Sequence, residues 1–539
     1  MAVAKPASKG ALMQKLVATS LASLMIAGTL INPTVADAQS GTSTPIQHLV
    51  VIFQENISFD HYFGTYPNAL NPPNEPAFKP APGTPAVNGF TDGLLFNNPN
   101  FLNTQANAAG AANPFRLDRS EAATSDQDHD YLNEQEAFNG GLMDSFPKYT
   151  GTPGPPPAGQ TTAGIVMGYY DGNTVTAFWN YAQRFAMSDN SYGTNFGPST
   201  DGAVNLVSGQ LNGVSDQVNA TADVVPDGGG GYTLVSDADP VGDTCSTTTG
   251  AQVAFGGTNV VDLLNSKGIS WGFFEGGFDL TVTNANATTG CLRSTTSAIT
   301  AVKKLDYIPH HQPFQYYTST QNLAHTRPTS PSTVGIDGDP ANHQYDLHDF
   351  YDAINAGNFP TVSFLKAPGY QDGHAGYSDP LDEQTFVTTV INFLQKHKDW
   401  ENTAVVIAYD DSDGWYDHQM GPIVNQSASA QDALTGPGLC GTGLNALPGV
   451  NVAHAQGRCG YGPRLPLLVI SPYSKHNYVD HSVTDQTSIL RFIEDNWLDS
   501  QRIPGSFDAL AGKLDPMFNF KAAPDTTPYI LNTSTGEPK

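Results

Sequence analysis

Residues 46–64, IQHLVVIFQENISFDHYFG, join a short apolar run directly to a carboxylate and an amide. The run has the length and the β-branched content of a strand that is buried on both faces, as in a parallel sheet covered by helices. Glu55 and Asn56 follow at its carboxyl end, which is where open α/β sheets bind ligands. Their oxygen atoms suit a hard cation, so they form a candidate metal site. The alternative is that this segment simply caps the following helix.

A second apolar run, residues 403–409, ends in the same way, at Asp410 and Asp411. Two adjacent carboxylates raise each other's pKa unless a cation compensates their charge, so this motif also predicts a metal. A solvated acidic turn is the alternative. Asp417 and His418, just beyond, are left open as metal ligands, as supports of ligands or as loop residues.

Strand and helix patterns alternate between and beyond these two motifs. The alternation predicts an α/β fold with a mostly parallel central sheet, helices on both faces and long loop insertions. We expect one catalytic domain at residues 39–520 and a short polar tail at residues 521–539. The insertions are expected near residues 65–115, 213–257 and 423–463, where Gly, Pro, Asn, Ala or Ser are abundant and periodicity is lost.

Residues 197–200, Gly-Pro-Ser-Thr, predict a tight turn that presents a hydroxyl group at the start of a helix. Backbone N–H groups and the helix dipole favour a phosphate group at such a position. Ser199 is therefore a candidate for reaction with a phosphoryl group. An ordinary helix N-cap is the alternative.

Adjacent histidines, His310 and His311, would face opposite sides of a regular strand, but Pro309 and Pro313 allow an irregular backbone that brings both to one site. His374 follows a predicted buried strand at residues 359–366. Imidazoles at such places bind phosphate when protonated, or donate a proton to a leaving alkoxide. A further candidate, His129, lies in a strongly acidic stretch.

The first 38 residues have the pattern of a signal peptide. Lysines 5, 9 and 15 precede an apolar run at residues 16–31, and Ala-Asp-Ala at residues 36–38 forms a cleavage site. No pair of arginines precedes the run, which favours the general secretory route and a periplasmic or secreted protein. An uncleaved anchor is the alternative. No later stretch is apolar enough to predict a membrane span.

The net charge of −27 becomes −29 when three lysines and one aspartate leave with the signal peptide. So acidic a surface repels nucleic acid and anionic lipid, and nucleic acid is therefore excluded as an expected partner.

Four cysteines, Cys245, Cys291, Cys440 and Cys459, lie in the part expected to be exported, where disulfides form. Three pairings are possible. We favour Cys245 with Cys291 and Cys440 with Cys459, because each pair then holds one irregular insertion. Free buried thiols are the alternative.

Taken in order, these motifs resemble the bacterial phosphoesterase family that includes non-specific phospholipases C and acid phosphatases. ENISFDHYFG is similar to the family motif ENxSFDxxFG, GPST to the turn that carries its nucleophile, and DDSDGWYDH to DExDGxxDH, with Asp411 in place of Glu. The resemblance covers roughly residues 46–497 and implies an alkaline-phosphatase-like α/β fold. The segment PHHQPFQYY at residues 309–317 resembles the acid phosphatase branch. Gln486 stands where phospholipase relatives carry His, so any role of that His is not carried over.

The resemblance implies that Ser199 is the nucleophile and that five residues converge from three strand ends onto one divalent metal ion: Glu55, Asn56, Ser199, Asp410 and Asp411. An all-oxygen set suits Ca, Mg, Mn, Fe or Zn without identifying the ion. The resemblance places His129, His310, His311 and His374 around the phosphoryl group.

The expected activity is that of an exported acid phosphatase that hydrolyses small phosphomonoesters through a phosphoserine intermediate. Because cationic imidazoles are needed, we expect an acidic pH optimum. A phospholipase C that cleaves the head-group phosphodiester of phospholipids is the alternative. A non-catalytic exported protein that binds a phosphorylated ligand is a third.

Overall fold

The computed structural model describes residues 41–152, 164–441 and 456–539. Thr42–Lys539 group into one compact unit. The predicted signal peptide lies outside the described residues. Within the described ranges, no helix is both long enough and apolar enough to cross a membrane.

An eight-stranded sheet forms the centre of the protein. Its strands are β1 His48–Gln54, β2 Ala186–Ser188, β3 Trp271–Glu275, β4 Gln344–Asp346, β5 Val362–Lys366, β6 Thr403–Tyr409, β7 Leu467–Ile470 and β8 Tyr478–Asp480. Their spatial order is β4-β3-β5-β1-β6-β7-β2-β8. β7 runs antiparallel to both of its neighbours, and every other neighbouring pair in this sheet is parallel. Because β5, β1 and β6 are parallel neighbours, their carboxyl ends lie side by side.

Helices frame the sheet: α1 Phe59–Phe63, α2 Tyr131–Phe138, α3 Thr176–Arg184, α4 Ser199–Ser208, α5 Val260–Ser266, α6 Leu347–Asn355, α7 Pro380–Leu394 and α8 Thr487–Trp497. Val50 and Ile52 of β1 pack with α3, α6 and α7 on one face. Leu49, Val51 and Phe53 pack with α4, α5 and α8 on the other face. All five side chains are buried, which explains why β1 is a continuous apolar run rather than an alternating one. The predicted α/β fold class is confirmed.

The predicted insertions hold more regular structure than their composition indicates. Residues 65–115 contain the short helices Asp92–Phe96, Pro99–Leu102 and Thr104–Asn107. Residues 213–257, which we expected to be irregular, form a three-stranded sheet from Val214–Val218, Asp239–Pro240 and Gln252–Phe255 and a hairpin from Val224–Pro226 and Tyr232–Leu234. That expectation was wrong because the strands are short and are separated by Gly-rich turns, so no alternating pattern develops.

Both favoured disulfides are present, Cys245–Cys291 and Cys440–Cys459. The first ties the insertion at residues 213–257 to the chain just before a second small hairpin, formed by strands Ser294–Thr296 and Lys303–Leu305. The second closes part of the insertion at residues 423–463, of which residues 442–455 lie outside the described residues.

Candidate active site

Five buried residues meet at the carboxyl ends of β1 and β6 and the start of α4; we call Glu55, Asn56, Ser199, Asp410 and Asp411 the donor cluster. The Ser199 hydroxyl oxygen lies 2.9 Å from Glu55 Oε2, 3.1 Å from Asp411 Oδ2 and 3.4 Å from Asn56 Oδ1. A hydroxyl has a single proton to donate, so three acceptor oxygens surround one donor. The donor cluster brings together all five residues that the sequence predicts around one metal.

Local backbone geometry explains this convergence. Gln54 pairs with Tyr409 across the β1–β6 ladder, so the residues that follow each strand emerge next to each other. Asn56 has a φ of 60°, a left-handed conformation that Asn adopts more readily than most residues, and its N–H donates to Asp410 Oδ1 at 3.1 Å. Gly202 of α4 is required because a Cβ atom there would lie 2.2 Å from the carbonyl oxygen of Asp410. The helix that carries Ser199 therefore packs directly on the end of β6.

The donor cluster fits a divalent cation. Asp410 Oδ1 accepts hydrogen bonds from two backbone N–H groups, whereas Asp410 Oδ2 is buried with no hydrogen-bond partner. Burial raises the pKa of Asp410 well above its usual range and that of Asp411 to about 7. Carboxylates packed together in this way are stabilised in their charged form by a bound cation. The donors are oxygen atoms, which suit hard or borderline ions.

Lys366, the last residue of β5, also belongs to this site and was missed by the sequence reasoning. Its buried ammonium group contacts Glu55 Oε1 and lies 3.9 Å from Asp410 Oδ2. Burial alone would raise the pKa of Glu55, but His311 and Lys366 hold it well below its usual range. The protein therefore supplies one positive charge of its own to these carboxylates. From the sequence, we had expected a metal ion alone to balance their charge. A lysine that closes an apolar strand beside a predicted site was the available signal.

All four predicted histidines lie around the donor cluster. His129 Nε2 is 3.3 Å from Asn56 Nδ2, and His311 Nε2 is 3.5 Å from Glu55 Oε2. The rings of His129 and His374 are 5.8 Å apart, and those of His310 and His311 are 4.7 Å apart. Pro309–His311 and Pro313–Tyr316 form two short 3-10 turns, the irregular backbone that the flanking prolines predict.

The pKa values of the four imidazoles are shifted in different directions. Burial would lower the pKa of His129, but Asp411 and Asp413 hold it well above its usual value. The pKa of His310 is also raised against the effect of burial, by Asp237 and Asp239. Burial lowers the pKa of His311 and of His374. The pKa values of His129 and His310 are therefore shifted upward, and those of His311 and His374 downward.

The insertion at residues 213–257 delivers two carboxylates that the sequence did not single out. Asp237 Oδ1 accepts hydrogen bonds from the N–H of Thr200 at 2.9 Å and from its hydroxyl at 2.8 Å, next to Ser199. Asp239 Oδ1 lies 3.6 Å from His310 Nδ1. Beside His129, a cavity of about 460 Å³ is lined in part by Asp126, Asp128 and Asp130, so the surroundings of the donor cluster are acidic.

The residues left open, Asp417 and His418, join a second buried cluster with Asp60 and Arg464, which we call the arginine cluster. Arg464 donates from Nη2 to Asp60 Oδ1 at 2.9 Å and from Nε to Asp417 Oδ2 at 3.1 Å. His418 Nδ1 lies 2.5 Å from Asp60 Oδ2. Within the described residues, these side chains contact one another and not Ser199. The arginine forms an ion pair with each carboxylate, and Asp60 raises the pKa of His418 against the effect of burial, so that His418 can supply a second positive charge.

Gln486 is buried, and its side chain forms hydrogen bonds to backbone groups. Its Oε1 accepts the N–H of Thr194 at 3.1 Å, and its Nε2 donates to the carbonyl oxygens of Tyr409, at 3.1 Å, and Asp410. These bonds join the end of β6 to the turn before α4. Both polar atoms of the Gln486 side chain are therefore used in bonds to the main chain.

A buried serine hydroxyl among carboxylate and amide oxygens, with four histidines at the carboxyl edge of a mostly parallel sheet, forms a candidate active site with candidate metal-binding groups in an α/β fold. Residues 46–498 match the model of the Phosphoesterase family, and this chain belongs to that family. The family expected from the motifs is confirmed.

Similar curated proteins are phospholipases C. The non-hemolytic phospholipase C of Burkholderia pseudomallei is 26% identical over 93% of this chain and 62% of its own length, and that of Pseudomonas aeruginosa is 25% identical over 95% and 62%. Phospholipase C A of Mycobacterium tuberculosis is 25% identical over 90% of this chain and 80% of its own length. The chain thus spans 62% of the length of the first two relatives.

Two solved structures are similar at 11% identity. A protein in the alkaline phosphatase superfamily from Vibrio parahaemolyticus has a TM-score of 0.27 over 76% of each chain. Murine ectonucleotide pyrophosphatase/phosphodiesterase 5 has a TM-score of 0.29 over 64% of this chain and 95% of its own. Neither similarity is close enough to carry a conclusion about this protein.

Proposed function

We propose that this protein is an exported acid phosphatase that hydrolyses phosphomonoesters with Ser199 as its nucleophile. The observation that carries the proposal is the position of the Ser199 hydroxyl, which is buried, begins α4 and lies within 3.4 Å of three acceptor oxygens. A phosphoryl group at this helix start meets the positive end of the helix dipole, while the N–H of Thr200 donates to Asp237.

The first step joins Ser199 Oγ to phosphorus as the bond from phosphorus to the leaving oxygen breaks. The hydroxyl proton passes to a carboxylate oxygen of the donor cluster, where Glu55 Oε2 and Asp411 Oδ2 lie closest. The cationic imidazole of His129 gives its proton to the leaving alkoxide. Water then attacks the phosphoserine, phosphate leaves and Ser199 regains its proton.

Glu55, Asn56, Ser199, Asp410 and Asp411 would hold the divalent ion. When bound, such an ion lowers the pKa of a coordinated hydroxyl and offsets the charge of the phosphoryl oxygens. Lys366 keeps Glu55 oriented and reduces the repulsion among the carboxylates.

Two features support phosphomonoesters and acidic conditions. A monoester carries up to two negative charges, and the site surrounds Ser199 with Lys366 and four imidazoles. Burial lowers the pKa of His311 and His374, so these groups gain their positive charge on the acidic side of the usual imidazole range.

A phospholipase C is the second candidate, and it is favoured by the similar proteins of Burkholderia pseudomallei, Pseudomonas aeruginosa and Mycobacterium tuberculosis, which are phospholipases C. Such an enzyme would cleave the head-group phosphodiester with the same donor cluster. The high net negative charge then favours neutral over anionic lipid surfaces.

A direct assay separates the two candidates. A chromogenic phosphomonoester and a choline phospholipid in detergent would be tested from about pH 4 to about pH 9, before and after chelation and after metal is restored. We expect metal-dependent hydrolysis of the monoester with an acidic optimum. Turnover of the phospholipid alone would replace the phosphatase with the phospholipase C.

Export is part of the proposal and rests on the signal peptide predicted at residues 1–38. N-terminal sequencing of the protein recovered from its native host tests it. We expect Gln39 as the first residue, in a periplasmic or culture fraction. Recovery of an intact Met1 in the cytoplasmic fraction would contradict it.

A further inference from the structure

Glu134 is a buried carboxyl group of α2 that the proposed mechanism does not use. Its Oε2 accepts the backbone N–H of Gly197 at 3.0 Å, and its Oε1 accepts the hydroxyl of Ser412 at 2.6 Å. Gly197 lies shortly before Ser199 in the chain, and Ser412 directly follows Asp411. One carboxyl group therefore joins the turn that carries the candidate nucleophile to the turn that carries a member of the donor cluster.

The turn at Gly197 is closely packed and depends on Glu134 for its N–H group. Gly197 has a φ of 121°, in the region that favours glycine, and a Cβ atom there would lie 2.5 Å from Asp201 Oδ2 and 3.6 Å from Tyr131 Cβ. The residue is buried, and among the described residues Glu134 is the only acceptor of its N–H. Because a buried N–H group without an acceptor is costly, loss of Glu134 would make this turn shift.

The turn at Ser412 orients Asp411. Ser412 Oγ accepts the N–H of Gly414 at 3.1 Å while its hydroxyl is donated to Glu134. Asp411 Oδ1 accepts the N–H of Asp413 at 2.7 Å, which leaves Asp411 Oδ2 to face Ser199 Oγ at 3.1 Å. Two turns that meet at the reacting hydroxyl are therefore also joined through Glu134.

Helix α2 holds Glu134 in place. Gln135 Oε1 accepts the N–H groups of Ala433 and Leu434 at 3.0 and 3.2 Å, which attaches the helix to a separate part of the chain. α2 also begins just after His129. Glu134 thus relates the two turns to the segment that carries a histidine of the site.

We propose that Glu134 is a positioning residue that fixes Ser199 Oγ beside Asp411 Oδ2 before metal or substrate binds. This inference rests on the proposed function, in which Ser199 is the nucleophile. A displacement of about 1 Å at a reacting atom costs roughly 100-fold in rate, so a bond between the two turns affects turnover strongly without touching the substrate.

The role requires hydrogen bonds and not a charge. Burial, together with the nearby Asp411, raises the pKa of Glu134 to about 8, so the carboxyl group is neutral under acidic conditions. In that form Oε2 still accepts the N–H of Gly197, and the proton on Oε1 is donated to Ser412 Oγ. A glutamine side chain offers the same pair of groups, one acceptor oxygen and one donor. Glu134→Gln should therefore preserve the geometry.

The test compares three variants of the full chain. Glu134→Met keeps the stem and removes both bonds, Glu134→Gln keeps both, and Glu136→Met is the control. Glu136 lies on the same helix, and its side chain forms no hydrogen bond or ion pair in the described part of the chain. With saturating metal, kcat of Glu134→Met for 4-nitrophenyl phosphate should fall by roughly 10- to 100-fold, with KM changed by less than about threefold. Glu134→Gln and Glu136→Met should retain kcat within about threefold.

A purely structural role gives a different result. It would lower the thermal unfolding midpoint of Glu134→Met and leave kcat unchanged below that temperature, which would overturn the proposal. Equal losses of kcat in Glu134→Met and Glu134→Gln would also overturn it, because the charge would then matter and not the hydrogen bonds. If Glu134→Met fails to fold, Ser412→Ala takes its place, since it breaks one of the two bonds. A loss of kcat of roughly tenfold is then expected, and an unchanged kcat would reject the role.

Hydrogen exchange separates this proposal from the proposed function, because it needs neither substrate nor metal. In the metal-free protein, the peptide that contains Gly197 should exchange roughly tenfold or more faster in Glu134→Met than in Glu136→Met, while peptides from β1 exchange alike in the two variants. Faster exchange in both regions would indicate general destabilisation and would reject the role, as would unchanged exchange at Gly197. If the wild-type protein does not hydrolyse the phosphomonoester, the phosphatase proposal fails, and this comparison still decides whether Glu134 holds the turn before Ser199.

Discussion

Two buried clusters of charge are built from the same two motifs and end up with different properties. The motif after β1 gives Glu55 to the donor cluster and Asp60 to the arginine cluster, and the motif after β6 gives Asp411 to the first and Asp417 to the second. In the arginine cluster, two carboxylates are paired with Arg464, and one of them also with His418. The donor cluster has one lysine for three carboxylates and leaves Asp410 Oδ2 without a hydrogen bond.

This difference in pairing distinguishes buried carboxylates that stabilise the fold from buried carboxylates that can bind a ligand. A buried carboxylate with an arginine bonded to it is satisfied before any ligand arrives. Asp410 Oδ2 has no hydrogen bond and lies 3.9 Å from Lys366, so it can accept a further cation. Because each motif contributes an acidic residue to both clusters, its sequence does not show which of these two roles a given acidic residue has.

The largest effect is expected at the single hydroxyl of the donor cluster. Ser199→Ala should reduce turnover of a phosphomonoester by roughly three orders of magnitude or more, since the nucleophile is lost. The thermal unfolding midpoint should change little, because the hydroxyl is a small part of the buried contacts. Thr200→Ala is the matched control and should retain activity within about tenfold. Normal turnover by Ser199→Ala would remove the phosphoserine from the mechanism.

The second prediction concerns the arginine cluster. Arg464→Met should lower the free energy of unfolding by about 3–5 kcal/mol, because Asp60 and Asp417 are left buried without their cation. Urea unfolding with and without a chelator checks this, and the loss should be the same in both conditions. Lys366→Met should also destabilise the metal-free protein, but added metal should reduce its loss by compensating Glu55. A metal-dependent loss in Arg464→Met would contradict the division between the clusters.

A matched pair of amide substitutions gives the third prediction. Asp410→Asn should weaken metal binding by roughly 10- to 100-fold, measured by calorimetry on the metal-free protein, since it removes the charge on the unpartnered oxygen. Asp417→Asn should leave metal affinity within about threefold and lower stability instead, because it removes an ion pair to Arg464. Similar metal affinities for the two variants would show that the clusters do not differ in this respect.

Glu383 is buried in a third way, with hydrogen bonds from two tyrosines and no cation. We expect it to give the smallest of the effects predicted here, a change in how the free energy of unfolding depends on pH. It accepts hydrogen bonds from Tyr62 and Tyr409, each at 2.7 Å, and burial raises its pKa to about 8. The folded state therefore binds this proton more tightly than the unfolded state, whose carboxyl has an ordinary pKa near 4.5. Its contribution to stability is complete below the ordinary pKa and is lost as pH rises through about 8.

Unfolding by urea at about pH 5 and about pH 8 tests this contribution. The wild-type protein should lose of the order of 1–3 kcal/mol more between these pH values than Glu383→Gln, which has no proton to lose. An identical pH dependence in the two proteins would show that Glu383 does not titrate in this range.

The sequence allowed most of the donor cluster to be predicted because its residues follow recognisable patterns. Glu55 and Asp410 directly follow buried apolar runs, and the ends of neighbouring parallel strands meet at one edge. Ser199 follows a Gly-Pro pair that presents the first residue of α4. In each case the local pattern and the chemistry belong to the same short segment.

Contacts that depend on long-range pairing were not predictable, even where the residue itself lay in a recognisable position. Lys366 ends a strand in the manner of many solvent-exposed lysines, and its contact with Glu55 follows from the order of β5 and β1 in the sheet. Asp237 and Asp239 reach the site because the insertion folds into its own small sheet. Arg464 comes from the chain before β7, so the sequence could not show which acidic residues it neutralises.

The disulfide between Cys245 and Cys291 links the insertion that supplies Asp237 and Asp239 to the chain just before the small hairpin formed by Ser294–Thr296 and Lys303–Leu305. Such a bond persists in an oxidising compartment and is kept open by cytosolic reductants. None of the five donor residues is a cysteine, so reduction would leave the donor cluster chemically unchanged. It would instead loosen the insertion whose carboxylates bond Thr200 and lie beside His310, and in this way the redox state of the compartment would act on the surroundings of Ser199.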